Sequence, residues 1–201
     1  MDSHFFAYMY RLNYIERWSL MRNTTKENVA EHSFRVALLV HMLCEIGNSL
    51  FEKQFNADRA VTLALFHDAT EVFTGDIPTP VKHHNPKMLA SFRELEALAA
   101  ERLLAMVPEP MQKTYAPLLG KHHGSISPEE QTLQAMVKAA DLLDAYLKCL
   151  YELSAGNREF LVARGQTEQA LAALNMPEVE WFLAHMAPSL GMTLDELSDK
   201  S

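Results

Sequence analysis

Apolar residues recur along most of this chain with the three-to-four-residue spacing of α-helices. Phe5, Met9 and Leu12 follow that spacing near the amino terminus, as do Phe34 and Leu38 further along. There is no alternating apolar and polar stretch of useful length, and no internal repeat. The pattern therefore predicts an all-α fold.

Capping and turn residues divide this pattern into helices. The run 28–31, Asn-Val-Ala-Glu, has the form of a capping box, and the run 127–130, Ser-Pro-Glu-Glu, combines a serine cap with a first-turn proline. Gly75 and the prolines at 78, 80 and 86 predict a loop, because proline lacks a backbone donor and restrains the residue before it. The expected helices cover about 3–14, 28–48, 56–73 and 86–106, a short stretch after 108, and then 127–154, 159–174 and 178–185.

The absence of a linker predicts a single domain over residues 1–201, with its core at about 3–188 and a tail at 189–201. A length of 201 residues with 48% apolar and 22% charged residues suits one soluble core. Cys44 and Cys149 lie in apolar helical contexts outside any zinc pattern, so we expect buried thiols.

Charge and targeting signals narrow the classes of partner. The formal net charge of −8 argues against binding to a nucleic acid polymer or to an anionic membrane surface. No apolar run reaches the roughly 18 residues of a membrane span, and the first residues lack the pattern of a signal peptide. We therefore expect a cytoplasmic protein that acts on a small molecule.

The chemically informative stretch is 64–71, Ala-Leu-Phe-His-Asp-Ala-Thr-Glu. It places His67, Asp68 and Glu71 within five residues of an otherwise apolar run. Burying such groups without partners is costly, and a divalent metal ion would offset that cost because it lets imidazole and carboxylate remain deprotonated. At about 3.6 residues per turn of the helix predicted for 56–73, all three side chains can converge near one face.

Two further residues can complete a metal site. His32 lies in the first turns of the helix predicted after Asn28, and Asp141 lies among apolar neighbours in the middle of the helix predicted for 127–154. With His67 and Asp68 they would give two imidazoles and two carboxylates, a set that suits Mn, Co, Fe, Ni or Zn better than Ca or Mg.

Each of these residues also has a purely structural explanation. The His67-Asp68 pair could bond its neighbours on a helix face, His32 could be a core histidine, and Asp141 could pair with Lys138 or Lys148. Asp144, one turn further on, is either solvated or placed behind the ligands, and Glu31 completes the cap of its helix. We interpret the pairs His83-His84 and His122-His123 as solvated loop residues.

The motifs resemble those of a known family. The pattern H…HD…D is similar to that of the HD-domain metal-dependent phosphohydrolases, and nearly the whole chain resembles the bacterial YfbR-type 5′-deoxynucleotidases. The resemblance is carried by Arg17-Trp18, Asn28-Val29-Ala30-Glu31-His32-Ser33, His67-Asp68-Ala69-Thr70-Glu71, the run 74–82 (Thr-Gly-Asp-Ile-Pro-Thr-Pro-Val-Lys) and the run 145–149 (Ala-Tyr-Leu-Lys-Cys). The region from about Gly120 to Ser127 departs from it, so His122 and His123 receive no role.

The resemblance implies a helical bundle, a homodimer and one divalent transition metal such as Co or Mn. It places the metal ligands at His32, His67, Asp68 and Asp141. The implied reaction is the hydrolysis of deoxyribonucleoside 5′-monophosphates to deoxynucleoside and phosphate.

The side chains suggest how such a reaction would proceed. Glu71 is suited to act as general base or as the group that orients a metal-activated water, and Arg17 presents a planar fork of donors to a phosphate. Trp18 offers an aromatic face to the sugar or base. By resemblance, the substrate pocket comprises Arg17, Trp18, Asp76, Ile77, Pro78 and Thr79, together with the ligands His32, His67 and Asp141. We hypothesise that Asp76 receives the 3′-hydroxyl and that Trp18 with this loop leaves no space for a 2′-hydroxyl.

Two other functions remain open at this point. The chain could be an HD hydrolase of a nucleoside triphosphate, a cyclic dinucleotide or an alarmone. It could also be a nucleotide-sensing module that has lost turnover. The complete ligand set with Glu71 favours the enzyme over the sensor.

Overall fold

The computed structural model describes residues 3–82, 84–120 and 126–198, and these ranges contain α-helices, 3₁₀ segments and no β-strand. A single backbone bridge joins Glu16 to Asn28. The all-α prediction is thus confirmed. The helices are α1 Phe5–Met9, α2 Val29–Leu50, α3 Ala57–Phe66, α4 Glu71–Thr74, α5 Thr79–Lys82, α6 Pro86–Met106, α7 Glu109–Leu118, α8 Pro128–Ser154, α9 Leu161–Ala173, α10 Pro177–His185 and α11 Leu194–Ser198, with 3₁₀ segments at Tyr10–Tyr14, Arg158–Phe160 and Ala187–Gly191.

The main core lies where α2, α3 and α8 pack together, with α9 and α10 beside α8 and α2. Val40 and Leu43 of α2, Leu63 of α3, and Met136 and Leu143 of α8 are all buried there. Burial of one such side chain stabilises a fold by about 1.5–3 kcal/mol. These three helices also carry the residues that the sequence singled out for metal binding, so the core fixes their relative positions.

A second apolar cluster holds the amino-terminal end of the chain against α6 and α7. Phe5 of α1 packs with Ala100 and Leu103 of α6 and with Leu119, which follows α7. Ala69 belongs to the same cluster, so the turn after α3 is fixed from that side as well.

Both predicted helix starts are confirmed. The Asn28 side chain accepts a hydrogen bond from the Glu31 backbone N–H at 3.0 Å, and the Glu31 carboxylate accepts from the Asn28 N–H at 3.3 Å. The Ser127 hydroxyl oxygen accepts from the Glu130 N–H at 3.1 Å. Such a cap contributes about 1 kcal/mol and fixes the residue at which the helix begins.

The prediction of one helix over 56–73 is wrong. Helix α3 ends at Phe66, residues 67–70 form a turn, and Glu71 begins the separate four-residue helix α4. The carbonyl oxygen of Ala64 accepts from the His67 backbone N–H at 3.4 Å and lies 2.7 Å from the His67 ring Nδ1. In a continued α-helix that carbonyl would accept from Asp68 instead, so the local contacts of His67 end the regular pattern.

The loop predicted after Gly75 also contains structure that the sequence did not indicate, namely the single turn α5. At the carboxyl end, α11 lies inside the predicted tail 189–201, and the boundary of that tail remains a prediction. Cys44 and Cys149 are buried, as expected. His84 is exposed, whereas His83, His122, His123 and positions 199–201 lie outside the described residues. Across the described ranges, the helices are too short or too polar to span a bilayer.

Candidate active site

His32, His67 and Asp141 bring their ligand atoms to one point at the junction of α2, α3 and α8. One ligand atom of each lies within 4.8 Å of those of the other two. The two Nε2 atoms of His32 and His67 are 3.3 Å apart, and His32 Nε2 lies 3.2 Å from Asp141 Oδ1. Three residues separated by up to 109 positions therefore meet as the sequence predicted.

Asp68 approaches the same point from the turn after α3. Its Oδ2 lies 3.4 Å from His32 Nε2 and 3.2 Å from His67 Nε2. The group within mutual 4.8 Å does not include Asp68, but the carboxylate contacts both imidazoles of that group.

The spacing of these atoms fits a transition metal ion. Four ligands at about 2.0–2.1 Å from a metal in a tetrahedron are separated by roughly 3.3–3.4 Å, and a lower value applies to an octahedron. The separations of 3.2–3.4 Å from the Nε2 atoms of His32 and His67 to the carboxylate oxygens of Asp68 and Asp141 match that range. The residues present thus suit the ion in number, type and distance.

The electrostatics of His32 also fit a cation site. This imidazole is fully buried, which by itself lowers its pKa, but hydrogen bonds to Asp141, Asp144 and Asp68 raise the pKa to about 10. Three carboxylates directed at one imidazole concentrate negative charge, and a divalent ion among them would compensate that charge.

His67 is oriented by its own backbone. Because its Nδ1 lies 2.7 Å from the Ala64 carbonyl oxygen, Nδ1 donates to that oxygen, and Nε2 is the nitrogen directed at the ligand cluster, where it could bind a metal ion. The break in α3 that the sequence did not predict is therefore what turns this ring into the site.

Glu71 follows the turn and is partly buried beside the ligands. Burial, followed by the negative charges of Asp68 and Asp76, raises the pKa of Glu71 to about 9. Its Oε2 is buried and makes no hydrogen bond. Glu71 reaches this place as the first residue of α4, not as the last turn of α3, so the predicted proximity is observed while the predicted geometry was wrong.

Arg17 lies on the Asp68 side of the cluster. Its NH1 is 3.5 Å from Asp68 Oδ2, and its Nε donates to Glu27 Oε1 at 3.2 Å. The neighbouring Trp18 donates from its indole nitrogen to the same Glu27 oxygen at 3.0 Å, and its ring centroid is 5.4 Å from that of Phe160. Both predicted substrate residues thus lie beside the site.

The loop 76–79 follows α4, and its first residue, Asp76, lies near Arg17 and the Trp18 backbone. Burial raises the pKa of Asp76, although the charge of Arg17 and a hydrogen bond from the Trp18 backbone act in the opposite direction. Ile77 and Pro78 are half-buried, and Thr79 begins α5, its side chain lying outside what the structure describes.

His67 and Asp141 also open onto a cavity of about 510 Å³ between α3, α6, α7 and α8. Phe66, Ala97 and Ala100 give it apolar walls, and Arg93 and Lys138 add positive charge. Its size is typical of a small-molecule site. Arg17, Trp18 and Asp76 do not line this cavity, and Arg17 contacts the cluster at Asp68.

The sequence left the placement of Asp144 open and gave no role to Arg35 or Glu27. Asp144 is buried, with Oδ2 2.7 Å from His32 Nδ1, so of its two predicted placements the solvated one was wrong. Arg35 donates to Asp144 and to Glu27, which joins these three groups. The pairing of Asp141 with Lys148 was also wrong, because Lys148 bonds Glu152 and the Thr25 carbonyl.

Comparison with solved structures identifies the fold. An HD-domain phosphohydrolase from Listeria innocua superimposes with a TM-score of 0.76 over 98% of this chain and 96% of that one, at 23% identity. A cyanophage S-2L HD phosphohydrolase (DatZ), solved bound to dA and one catalytic Zn²⁺ ion, superimposes with a TM-score of 0.58 over 91% of this chain and 96% of that one, at 23% identity. The helical fold with a histidine and aspartate cluster is that of the HD-domain phosphohydrolases.

Sequence comparison narrows this class to a family. The family model for YfbR-like 5′-deoxynucleotidases matches residues 4–190. A 5′-deoxynucleotidase from Cronobacter sakazakii is 48% identical over 100% of this chain and 98% of its own length, and one from Yersinia pestis is 48% identical over 98% and 97%. The chain belongs to the YfbR-like 5′-deoxynucleotidase family.

Proposed function

We propose that this protein hydrolyses deoxyribonucleoside 5′-monophosphates to deoxynucleoside and phosphate, in a metal-dependent reaction. The observation that carries the proposal is the convergence of His32, His67 and Asp141 within 4.8 Å, next to the unpaired carboxyl oxygen of Glu71. Relatives that are 48% identical over the full chain bear the name 5′-deoxynucleotidase, and the cyanophage HD phosphohydrolase binds dA.

We assign the metal ligands to His32, His67, Asp68 and Asp141, and expect one divalent transition metal, Co or Mn by resemblance. The mixture of nitrogen and oxygen ligands supports this class of ion over Ca or Mg. Such an ion, when bound, lowers the pKa of water and stabilises negative charge on phosphoryl oxygens.

Glu71 is our candidate for the general base. Burial and the neighbouring carboxylates raise its pKa to about 9, and the charge of a bound divalent ion would lower that pKa again. The ionised carboxylate, with its buried Oε2, could then take a proton from the attacking water. Positioning and charge stabilisation supply most of the catalysis in phosphoryl transfer, and a proton acceptor beside the ligands adds to them.

Arg17 is our candidate for phosphate binding. Its guanidinium is held between Asp68 and Glu27, close to the ligand cluster, and remains charged at any working pH. A phosphate that reaches the ligands would therefore meet a fixed positive charge as well.

Trp18 and the loop of Asp76, Ile77, Pro78 and Thr79 are our candidates for binding the sugar. Asp76 faces Arg17 and the Trp18 backbone, and its carboxylate can accept from a 3′-hydroxyl. We expect the packed Trp18 to leave no space for a 2′-hydroxyl. Equal rates for a ribonucleotide and a deoxyribonucleotide of the same base would rule out this exclusion.

We also infer a cytoplasmic homodimer with no affinity for nucleic acid polymers, on the resemblance and on the net charge of −8. Light scattering coupled to size-exclusion chromatography tests the dimer. The function itself is tested by phosphate release from ribo- and deoxyribonucleoside 5′- and 3′-monophosphates, each with Co, Mn, Mg and Zn. Release of pyrophosphate or tripolyphosphate from a triphosphate instead would favour another HD hydrolase, and binding without release would favour a sensor.

A further inference from the structure

Glu27 is a buried carboxylate that holds three donors next to the candidate active site. Its Oε1 accepts from Arg17 Nε at 3.2 Å and from the Trp18 indole nitrogen at 3.0 Å. Its Oε2 accepts from Arg35 at 2.5 Å. The Glu27 side chain is 6% exposed, so these contacts are made away from water, where charged hydrogen bonds are strongest.

The backbone around Glu27 brings these groups together. The Arg17 N–H donates to the Glu27 carbonyl at 3.0 Å, and an antiparallel bridge pairs Glu16 with Asn28. Glu27 therefore lies directly across from the segment that carries both candidate substrate residues. Its position immediately before the capped start of α2 gives that pairing a rigid support.

Trp18 needs such support because its backbone is strained. Its φ of +55° is in the left-handed region, which is uncommon for residues other than glycine, asparagine and aspartate. A conformation of this kind costs about 1–3 kcal/mol and persists only where surrounding contacts fix it. The Glu27 bond fixes the ring, while the Met21 N–H and the Asn23 side chain bond the Trp18 carbonyl oxygen.

The Glu27 carboxylate is also linked to the candidate ligand His32, through Arg35 and Asp144. Arg35, bound to Glu27 Oε2, donates to Asp144, and Asp144 Oδ2 lies 2.7 Å from His32 Nδ1. Glu27 thus bonds both Arg17 and Trp18 and, through Arg35, is linked to Asp144, which supports a candidate ligand.

We propose that Glu27 is a positioning residue for the substrate, which sets the distance between the phosphate-binding Arg17 and the sugar-facing Trp18. In a nucleoside 5′-monophosphate the sugar and the phosphate are joined covalently, so their two binding groups must also keep a fixed separation. One oxygen atom that accepts from both side chains provides this constraint. The proposal rests on the proposed function and deepens it, because it names the residue on which discrimination between deoxyribose and ribose depends.

Steady-state kinetics with Glu27→Gln tests the proposal. The variant keeps the shape of the side chain but removes its charge. One carboxylate oxygen becomes an NH₂ group, which cannot accept a hydrogen bond from Arg35 or Arg17. We expect kcat/KM for a deoxyribonucleoside 5′-monophosphate to fall about 10- to 100-fold, the range for lost hydrogen bonds to charged groups. The ratio of kcat/KM between deoxyribo- and ribonucleotide should fall as well, by about fivefold or more.

Glu16→Gln is the matched control. Glu16 lies on the same segment, but its carboxylate is exposed and pairs only with Lys26 among the described ion pairs. Its kcat/KM and its substrate ratio should stay within about twofold of the wild type, since exposed pairs contribute little. Glu27→Asp, which keeps the charge but shortens the reach, serves as the second test variant and should lower the ratio in the same direction.

A spectroscopic measurement tests the position of Trp18 without any substrate. In a Trp181→Phe background Trp18 is the only tryptophan of the chain. Glu27→Gln in that background should shift the Trp18 emission to longer wavelength and increase its quenching by acrylamide, whereas Glu16→Gln should change neither.

The outcomes separate this proposal from the proposed function. If the wild type releases no phosphate from any nucleotide, the proposed function fails, and the emission of Trp18 still reports whether Glu27 holds the ring. An unchanged substrate ratio or unchanged emission in folded Glu27 variants would overturn the positioning role. Loss of folding in both Glu27 variants would also overturn it, because Glu27 would then be a residue of fold stability.

Discussion

Asp144 Oδ2 lies 2.7 Å from His32 Nδ1, on the side of the imidazole opposite to the Nε2 atom that faces Asp141. Nδ1 therefore donates its proton to Asp144, and Nε2, once a metal ion displaces its own proton, can offer a lone pair to that ion at the ligand cluster. A carboxylate in this position fixes the tautomer of a metal-binding histidine and increases its basicity.

Asp144→Asn should therefore weaken metal binding. The amide oxygen can still accept from Nδ1, but the charge that supports the imidazole is lost, so we expect a 10- to 100-fold lower metal affinity. Titration of the metal-depleted protein by calorimetry measures this change. Glu180→Gln, an exposed carboxylate on α10, is the control. Equal metal affinity in Asp144→Asn and wild type would show that Asp144 does not support the ligand.

Glu71→Gln should abolish most of the phosphate release and leave the metal bound. A general base contributes about 10²–10⁴-fold, and the amide cannot accept a proton from water. Phosphate release and metal content are measured on the same preparation, with the exposed Glu94→Gln as the control. A loss of metal in parallel with activity would identify Glu71 as a ligand and remove it from the role of base.

Gly75→Ala should destabilise the protein through its backbone alone. Gly75 has φ +70° and ψ 169°, a region essentially limited to glycine, and no atom lies within 4 Å of an added Cβ. We expect a loss of about 1–3 kcal/mol in the free energy of unfolding, measured by urea denaturation. Gly165→Ala, with equal space but an ordinary helical backbone, should be neutral or slightly stabilising, so equal losses in both variants would contradict the backbone explanation.

The free energy of unfolding should depend on pH through Glu152. This buried carboxylate accepts from Lys148 and from the Thr24 and Thr25 backbone, and although burial opposes ionisation, these bonds hold the pKa of Glu152 well below its usual value of 4.5. A lowered folded-state pKa gives stability that is complete above pH 4.5 and is lost as the pH falls below it. Urea denaturation should show Glu152→Gln about 3–5 kcal/mol less stable at pH 7, because Lys148 is left buried and unpaired. The difference should shrink at acidic pH, and a difference independent of pH would contradict this reason.

The sequence predicted the parts of the structure that depend on local chemistry. The capping box at Asn28 and the cap at Ser127 follow from side chains three residues from their partners, and the helices that they begin carry His32 and Asp141. The convergence of both with His67 was predictable because one shared cation accounts for all of these ionisable groups in apolar surroundings, whereas the structural alternatives explain them one at a time.

The parts that failed depend on contacts between distant residues or on a single backbone bond. The end of α3 at Phe66 follows from the His67 ring beside the Ala64 carbonyl, which a periodic pattern does not report. Arg35 and Glu27 resemble ordinary polar residues in the sequence, and only the packing of α2 against α8 joins Arg35 to Asp144, 109 residues away. Asp144 itself, one turn after a candidate ligand, gave a signal that the sequence left unresolved.

Phosphate release from matched 5′-monophosphates, with and without a metal chelator, tests the central claim most directly. We expect the metal-loaded protein to release phosphate from deoxyribonucleoside 5′-monophosphates faster than from the corresponding ribonucleotides and 3′-monophosphates. Chelation should remove the activity, and adding back Co or Mn should restore it. Undiminished phosphate release after complete removal of the metal, or equal rates for all of these substrates, would contradict the account.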